Sequence, residues 1–246
     1  MAFNPLLTVK LVIWDLDHTF WHNTLDEEEI LPIQEHLELV RSLNDHGVVN
    51  SICSKNNYER AKSKLQEIGI WDEFTLPAIA WSSKGSMIAA IIDSFSLRAE
   101  NVLFIDDNEM NLQEAEYYNP KLQTLNCTVE SISDILNQII LKSKPDSRKR
   151  FKQYKVLEKK VADRIAFDDN KQFLRQSGVT ISFSDDCVSH IDRIEELVNR
   201  TNQLNFTKQR MKKDELLLMM RDAAYQSFVL FVRDKYGDYG LAGFVC

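Results

Sequence analysis

The chain predicts an α/β fold built on a parallel sheet, and three observations carry that prediction. In the first half, short β-branched runs alternate with amphipathic stretches at helical spacing, the pattern of βαβ units. Two helical stretches stop at a glycine, Gly47 and Gly69, with the chain turning there toward its next segment. Acidic and polar residues gather directly after the apolar runs, at the edge where such sheets hold ligands.

Residues 10–14 (KLVIW) read as a strand that breaks at Asp15. Residues 33–46 carry Leu37, Leu39, Val40 and Leu43 at helical spacing, and 48–53 form a second strand closed by Ser54, Lys55, Asn56 and Asn57. A helix over 58–68 follows, then a short strand at 78–81 and a helix over 85–94. The fourth strand, 101–105, is broken by Asp106, Asp107 and Asn108, with a helix from about 111 to 118. A fifth strand at 122–125 and a helix over 131–141 complete a first domain, 1–142.

Residues 143–160, polar and with Pro145 near their start, read as a linker running into a basic helix. The remainder, 161–246, reads as a smaller α/β or α+β domain. It has helices around 188–201 and 212–223, a strand at 227–233, a hairpin turn at 234–240 and a strand from Leu241. A hairpin strand still running at Cys246 is the expected mark of a shortened domain.

Composition excludes several classes. Of 246 residues, 44% are apolar and 27% charged, which argues against global disorder; 7 Gly and 5 Pro argue against collagen-like or low-complexity chains. No apolar run approaches the roughly 18 residues that span a bilayer. The N-terminal apolar stretch meets charge too soon for a signal peptide, so a soluble, cytoplasmic protein without a membrane partner is expected. Cysteines 53, 127, 187 and 246 form no close pair, which predicts reduced thiols and neither a disulfide framework nor a zinc site.

Net charge is −7, unevenly spread: residues 1–142 hold 10 Lys+Arg against 22 Asp+Glu, and 143–246 hold 20 against 15. The basic half suits docking to the acidic half, or meeting nucleic acid, an acidic carrier protein or anionic metabolites. Arg148, Lys149 and Arg150 with Phe151 and Tyr154 imitate a nucleic-acid patch, but no nucleic-acid module accompanies them, so no such partner is expected.

The sharpest motif is Asp15-Leu16-Asp17-His18-Thr19 directly after an apolar strand. Carboxylates at i and i+2 share one side of an extended chain and repel unless a cation bridges them; Mg2+ is the natural choice. One carboxylate can attack phosphorus, while the other protonates the leaving oxygen and later activates water. Ser54 ends the second strand, where a hydroxyl can bond a phosphoryl group. Lys84 follows the third, where an ammonium can neutralise phosphate charge. Asp106 and Asp107 end the fourth, where carboxylates can complete a metal shell. Taken singly, these are solvated acids, a surface lysine and turn residues; on successive strand ends they make the inventory of phosphoryl transfer.

In this order the motifs resemble the haloacid dehalogenase superfamily of phosphohydrolases. The fuller strings VIWDLDHTFW, SICSKNN, WSSK and FIDDNE, then RTNQLNFTKQR and RDKYGDYGLAGF, are similar to FkbH-like proteins of its subfamily IIIC. That resemblance implies a Rossmann-like phosphatase domain without a cap, followed by an acetyltransferase-like domain. It implies dephosphorylation of an activated acid, 1,3-bisphosphoglycerate, and loading of glyceryl onto the phosphopantetheine thiol of an acyl carrier protein. By the same resemblance Asp15 is the nucleophile, Asp17 the general acid/base, and Ser54 and Lys84 hold the phosphoryl group. Asp106 binds Mg2+ beside Asp15 and the backbone carbonyl of Asp17, with Asp107 adjoining, while Thr19, Lys55 and Asn56 line the substrate. His22-Asn23, Ser83 and Asn111-Leu112 depart from the family pattern and put the glyceryl substrate in question. A plain small-molecule phosphatase and a non-catalytic carrier-binding scaffold are the competing readings.

Spacing adds an inference of its own. Asp15 to Ser54 spans 39 residues and Ser54 to Lys84 spans 30, each filled by one helix and short loops, so no cap domain fits at either place. An uncapped site needs another body to exclude water, or accepts a large substrate. Cys53, beside Ser54, offers either an acyl-accepting thiol or, more commonly at a strand end, a small core residue. The amide-rich segment 200–205 reads as helix capping or as a substrate contact, and Asp168-Asp169-Asn170 as a solvated turn.

Overall fold

The computed structural model describes residues 8–26, 30–165, 170–200, 205 and 208–246. It divides into two units, Met1–Glu158 and Lys159–Cys246.

In the first unit, β1 (Leu11–Trp14) leads through a two-residue pair, β2 (Trp21–His22) and β3 (Leu31–Pro32), to α1 (Gln34–Asp45) and β4 (Val49–Ser54). Then come α2 (Tyr58–Ile68), β5 (Ala78–Ile79), α3 (Lys84–Ser94), β6 (Val102–Asp106), α4 (Glu109–Tyr118), β7 (Gln123–Asn126), α5 (Ile132–Lys142) and α6 (Lys149–Ile165). The sheet is parallel with order β5-β4-β1-β6-β7, so β1 is central: Leu11 pairs with Val49 on one side and Val102 on the other.

Parallel sheets are covered on both faces, and β1 shows why its run is continuously apolar. Val12 and Trp14 enter one core with α1, α2 and α5; Leu11 and Ile13 enter the other with α3, α4 and Phe151. The buried polar group Asn50 is satisfied within the first core. It accepts from Trp14 Nε1 at 3.0 Å and donates to Val40 O at 3.0 Å and Asn44 Oδ1 at 3.1 Å. Helix α2 runs over its expected residues, capped by Asn57, whose side chain accepts from Arg60 N, and ended by Gly69 in the left-handed conformation.

The stretch read as a linker is, from Lys149, a helix of the first unit for most of its length. Phe151 and Tyr154 lie one turn apart on the same face. Phe151 is buried in the second core, and the Tyr154 ring sits 4.5 Å from that of Phe95 while its hydroxyl donates to Phe95 O at 3.1 Å. Lys155 donates to Phe74 O, and Leu76 N to Glu158 at 2.6 Å. The division between units thus falls after Glu158, inside α6.

The second unit contains α7 (Asn170–Gln176), β8 (Thr180–Ser184), α8 (Ile191–Arg200), α9 (Lys213–Arg221), β9 (Phe228–Asp234) and β10 (Gly237–Val245). Its sheet, β10-β9-β8, is antiparallel, with Ile191, Ile194 and Leu216 packed on Val229 and Leu241. Of the α/β and α+β alternatives, this is α+β. The β9–β10 turn is only Lys235 and Tyr236, so β10 begins at Gly237 rather than Leu241, and Gly240, at φ 63°, falls at a bulge within it. Residues 201–204 of the amide-rich segment and Asp168 and Asp169 lie outside the described residues. Asn205 donates to Val198 O and Gln209 O, a capping use of its amide. Among the described residues no helix is long and apolar enough to cross a membrane.

Candidate active site

Asp15 is the first residue beyond β1 and is still held by the ladder, its N–H donating to Ile105 O at 2.9 Å. The chain then wraps tightly around the Leu16 carbonyl, which receives the N–H groups of Thr19, Phe20 and Trp21. This turn uses left-handed backbone at His18 (φ 55°) and Asn23 (φ 68°). Asn23 belongs to the His22-Asn23 departure noted in the sequence, and asparagine is among the residues best able to take that conformation. The departure at that position therefore preserves the turn.

Lys84 is the first residue of α3, placed there by the Ser83 cap, whose side chain accepts from Ser86 N. Its ammonium lies 2.7 Å from Asp15 Oδ1 and 2.5 Å from Asp106 Oδ2, and all three side chains are buried. Burial opposes the charge on Lys84, but Asp15 and Asp106 outweigh it and hold its pKa above the ordinary lysine value. Burial likewise raises Asp15, offset by Lys84 and reinforced by Asp106, leaving it at about 6. Asp106 is further fixed by donors from Asn108 N at 2.8 Å and Asn111 Nδ2 at 3.1 Å, both on Oδ1.

One carboxylate oxygen from each of Asp15, Asp106 and Asp107 lies within 4.8 Å of the others. Three carboxylates beside one ammonium leave two negative charges on hard oxygen donors. That donor set fits a single divalent ion such as Mg2+. The Asp17 carboxylate is not part of this group.

Asp17 instead joins a second set of residues. Its Oδ1 accepts from Trp21 Nε1 at 2.9 Å and Leu25 N at 3.0 Å, and its Oδ2 from Asn56 Nδ2 at 3.0 Å. The same Asn56 nitrogen donates to Ser54 Oγ at 3.1 Å, so the ends of β1 and β4 are linked through one amide. With Asn56 donating to its oxygen, the Ser54 hydroxyl keeps its own proton to give to an acceptor in the site.

The remaining expected residues divide. Lys55 donates to Asn111 Oδ1 at 3.3 Å and lies 3.8 Å from Glu114, on the rim formed by α4. Thr19 is buried, with its hydroxyl 3.7 Å from Cys127 Sγ, bracing the turn after β1 against the loop after β7. Cys53 is a core residue: its thiol packs in the cluster with Leu11, Ile13 and Met87, and burial pushes its pKa far up. Of the two readings of Cys53, the small core residue is the one its burial supports. Asn111, Trp21 and Glu114 were not singled out as functional from the sequence. Asn111 enters the sequence reading only as a departure, and Trp21 only as the last residue of the string VIWDLDHTFW.

Among the described residues, only the β2–β3 pair and α1 lie between β1 and β4, and only α2, one short turn and β5 lie between β4 and α3. Among the described residues, therefore, no cap domain is inserted at either place. Fold and site together define a parallel α/β unit whose C-terminal sheet edge carries a lysine-bridged carboxylate centre able to hold one metal ion.

No protein-family profile and no curated protein matches the chain. Among solved structures, it is similar to the N-terminal part of a Bacteroides fragilis protein containing a phosphatase domain, complexed with Mg. The identity there is 22%, over 58% of this chain and 42% of that one, with a TM-score of 0.45. The chain thus spans less than half of that structure's length. It is also similar to a haloacid-dehalogenase-superfamily hydrolase from Ehrlichia chaffeensis, at 14% identity over 55% of this chain and 98% of that one, TM-score 0.43. A third is the cobalt-bound deoxy-D-mannose-octulosonate 8-phosphate phosphatase of Haemophilus influenzae, at 14% identity over 70% and 99%, TM-score 0.42. At such identities and scores, the chemistry stands on the site's own geometry.

Proposed function

We propose that the chain is a Mg2+-dependent phosphohydrolase of the haloacid dehalogenase type, acting through an aspartyl-phosphate on Asp15. The observation that carries this reading is Lys84, buried and shared between Asp15 and Asp106, with Asp107 closing a three-carboxylate group. Such an arrangement holds a nucleophile beside the place where phosphate charge must be neutralised.

In this reading, Asp15, Asp106 and Asp107 hold the metal, which when bound screens the phosphate oxygens from the attacking carboxylate. An Asp15 oxygen forms a bond to phosphorus, and the bond to the leaving oxygen breaks with its electron pair. Asp17 supplies a proton to that oxygen where the leaving group is an alkoxide. Water then attacks phosphorus, Asp17 takes its proton, and the Asp15–phosphorus bond breaks. Ser54 donates to a phosphoryl oxygen, and Lys84 keeps its charge throughout.

The finer reading extends this to an acyl phosphate substrate and to loading of an acyl unit, such as glyceryl, onto an acyl carrier protein by an acetyltransferase-like second unit. Its support is the resemblance of the strings quoted above. Chemistry constrains it: hydrolysing an acyl phosphate at phosphorus yields a carboxylate that no longer acylates a thiol. On 1,3-bisphosphoglycerate, Asp15 would therefore take the phosphate ester, and a carrier thiol would displace phosphate at the acyl carbon. The plain phosphatase reading is favoured by the site itself, since every residue of it lies between Asp15 and Glu114, within the first unit.

The test is phosphate release from acetyl phosphate and from p-nitrophenyl phosphate, with Mg2+ and with EDTA, in wild type and Asp15→Asn. Mg2+-dependent release that disappears in the variant is expected. Release that persists in Asp15→Asn, or none from either compound in wild type, would overturn the assignment. Acylation of an added carrier protein separates the finer reading from the plain one.

A further inference from the structure

Asp106 accepts at every place its carboxylate offers, about two on each oxygen. Oδ1 receives Asn108 N at 2.8 Å and Asn111 Nδ2 at 3.1 Å. Oδ2 receives Lys84 Nζ at 2.5 Å and the same Asn111 nitrogen at 3.3 Å. The residue is also completely buried, at 0% exposure. An ion therefore reaches this carboxylate only after one of its three donors has moved aside.

The three donors differ in how readily they can leave. Asn108 N is a backbone group at the cap of α4, fixed by the helix that starts there. Lys84 is buried and also bound to Asp15 at 2.7 Å, and its departure would leave two buried carboxylates facing each other. Asn111 is half-buried in the first turn of α4, and its two bonds to Asp106 are the longest of the four. Its orientation is set from outside: Lys55 Nζ donates to Asn111 Oδ1 at 3.3 Å, which turns the nitrogen, and not the oxygen, toward Asp106. That amide does for Asp106 part of what a cation would do. Asp15, Asp106 and Asp107 share one ammonium, and a hydrogen bond to a charged group stabilises more than one between neutral groups.

We propose that Asn111 is a positioning residue that occupies the metal's place on Asp106 and thereby sets the affinity for the ion. Its amide holds the carboxylate in position without the ion and swings aside when Mg2+ binds. Binding then gives up those hydrogen bonds, so Mg2+ is held less tightly than the carboxylates alone would hold it, by a factor set by how firmly the amide is seated. This role rests on the proposed reading of Asp106 as a metal ligand. A departure from the family pattern thus acquires a function at the metal centre.

The experiment is calorimetric titration of MgCl2 into substrate-free wild type, Asn111→Ala and Asn111→Leu, each stripped with EDTA and then dialysed free of it. Both variants keep a good helix former in α4 and lack the donor. Each is expected to bind Mg2+ about tenfold more tightly than wild type, the equivalent of roughly 1.4 kcal/mol. Each should also melt below wild type in EDTA and recover most of the difference in saturating Mg2+. A residue that only shaped α4 would lower stability in both conditions and leave the affinity unchanged or weaker. Wild type binding as tightly as, or more tightly than, a variant that circular dichroism shows to be folded would overturn the role of Asn111 and leave the metal centre standing. No binding by any of the three would overturn the metal centre, and this role with it.

Discussion

Asn56 donates from a single nitrogen to Asp17 and to Ser54, joining the residue proposed to move protons to the one proposed to bind phosphate. Neither contact is with substrate, so Asn56 acts on the chemistry by positioning. Replacing it with leucine leaves an Asp17 oxygen without that donor and the Ser54 oxygen unpartnered. The expected outcome is a kcat lowered by about 10–100-fold with KM nearly unchanged. Stability should fall by about 1–3 kcal/mol. Steady-state kinetics with urea unfolding checks both, and an unchanged kcat would remove Asn56 from the mechanism.

Lys84→Met keeps the length of the side chain and deletes its charge. Asp15 and Asp106 are then buried carboxylates facing each other without a cation. Breaking a buried ion pair in this way costs roughly 3–5 kcal/mol. At pH 8 the variant should melt well below wild type in EDTA, and Mg2+ should raise its melting temperature more than it raises that of wild type. Equal metal-induced shifts would mean that the ion does not meet these carboxylates.

His36 gives a pH dependence of stability. It is buried against Trp14 and Phe20, with Nδ1 placed to donate to Phe20 O at 3.3 Å, and burial holds its pKa below the ordinary 6.5. Above that value neither the folded nor the unfolded chain carries the proton. Below it the unfolded chain takes a proton that the buried ring resists, so stability falls as pH drops from 6.5 toward the folded value. Urea midpoints of wild type and His36→Leu, measured from pH 8 to pH 5, should diverge in slope, with wild type losing more. Parallel curves would show that the ring does not titrate differently in the fold.

Gly85 follows Lys84, and a Cβ there would meet the Tyr118 ring at 2.5 Å and the Glu114 carbonyl at 2.9 Å. Gly85→Ala should therefore push the start of α3 from α4, costing about 1–3 kcal/mol and lowering activity by moving Lys84. Adding Tyr118→Ala removes the ring but not the carbonyl, so thermal melts should show partial recovery. Full recovery would mean that the backbone contact is without effect.

The α/β alternation was legible because each helix is long enough to show its period and several are punctuated at both ends, as α2 is by Asn57 and Gly69. Shorter pieces were not. The β2–β3 pair offers two residues per strand, too few for any alternation, and β5 is fixed by its pairing with Cys53 and Ser54 rather than by its own composition. In the site, charges were legible and their geometry was not. Asp15, Lys84 and Asp106 stand out by residue type at strand ends. The partners of Asp17 do not: one is a backbone N–H, one an indole that reads as core, and one an amide 39 positions away.

The placement of Phe151 and Tyr154 bears on how the chain can be divided. A fragment ending at residue 142, where composition suggests a natural cut, would strip the cover from Phe95 and leave part of the second core facing water. Extending the fragment through Glu158 retains both aromatic rings and the bond to Leu76. The smallest self-sufficient piece carrying the carboxylate centre is therefore set by a helix that contributes nothing to the chemistry.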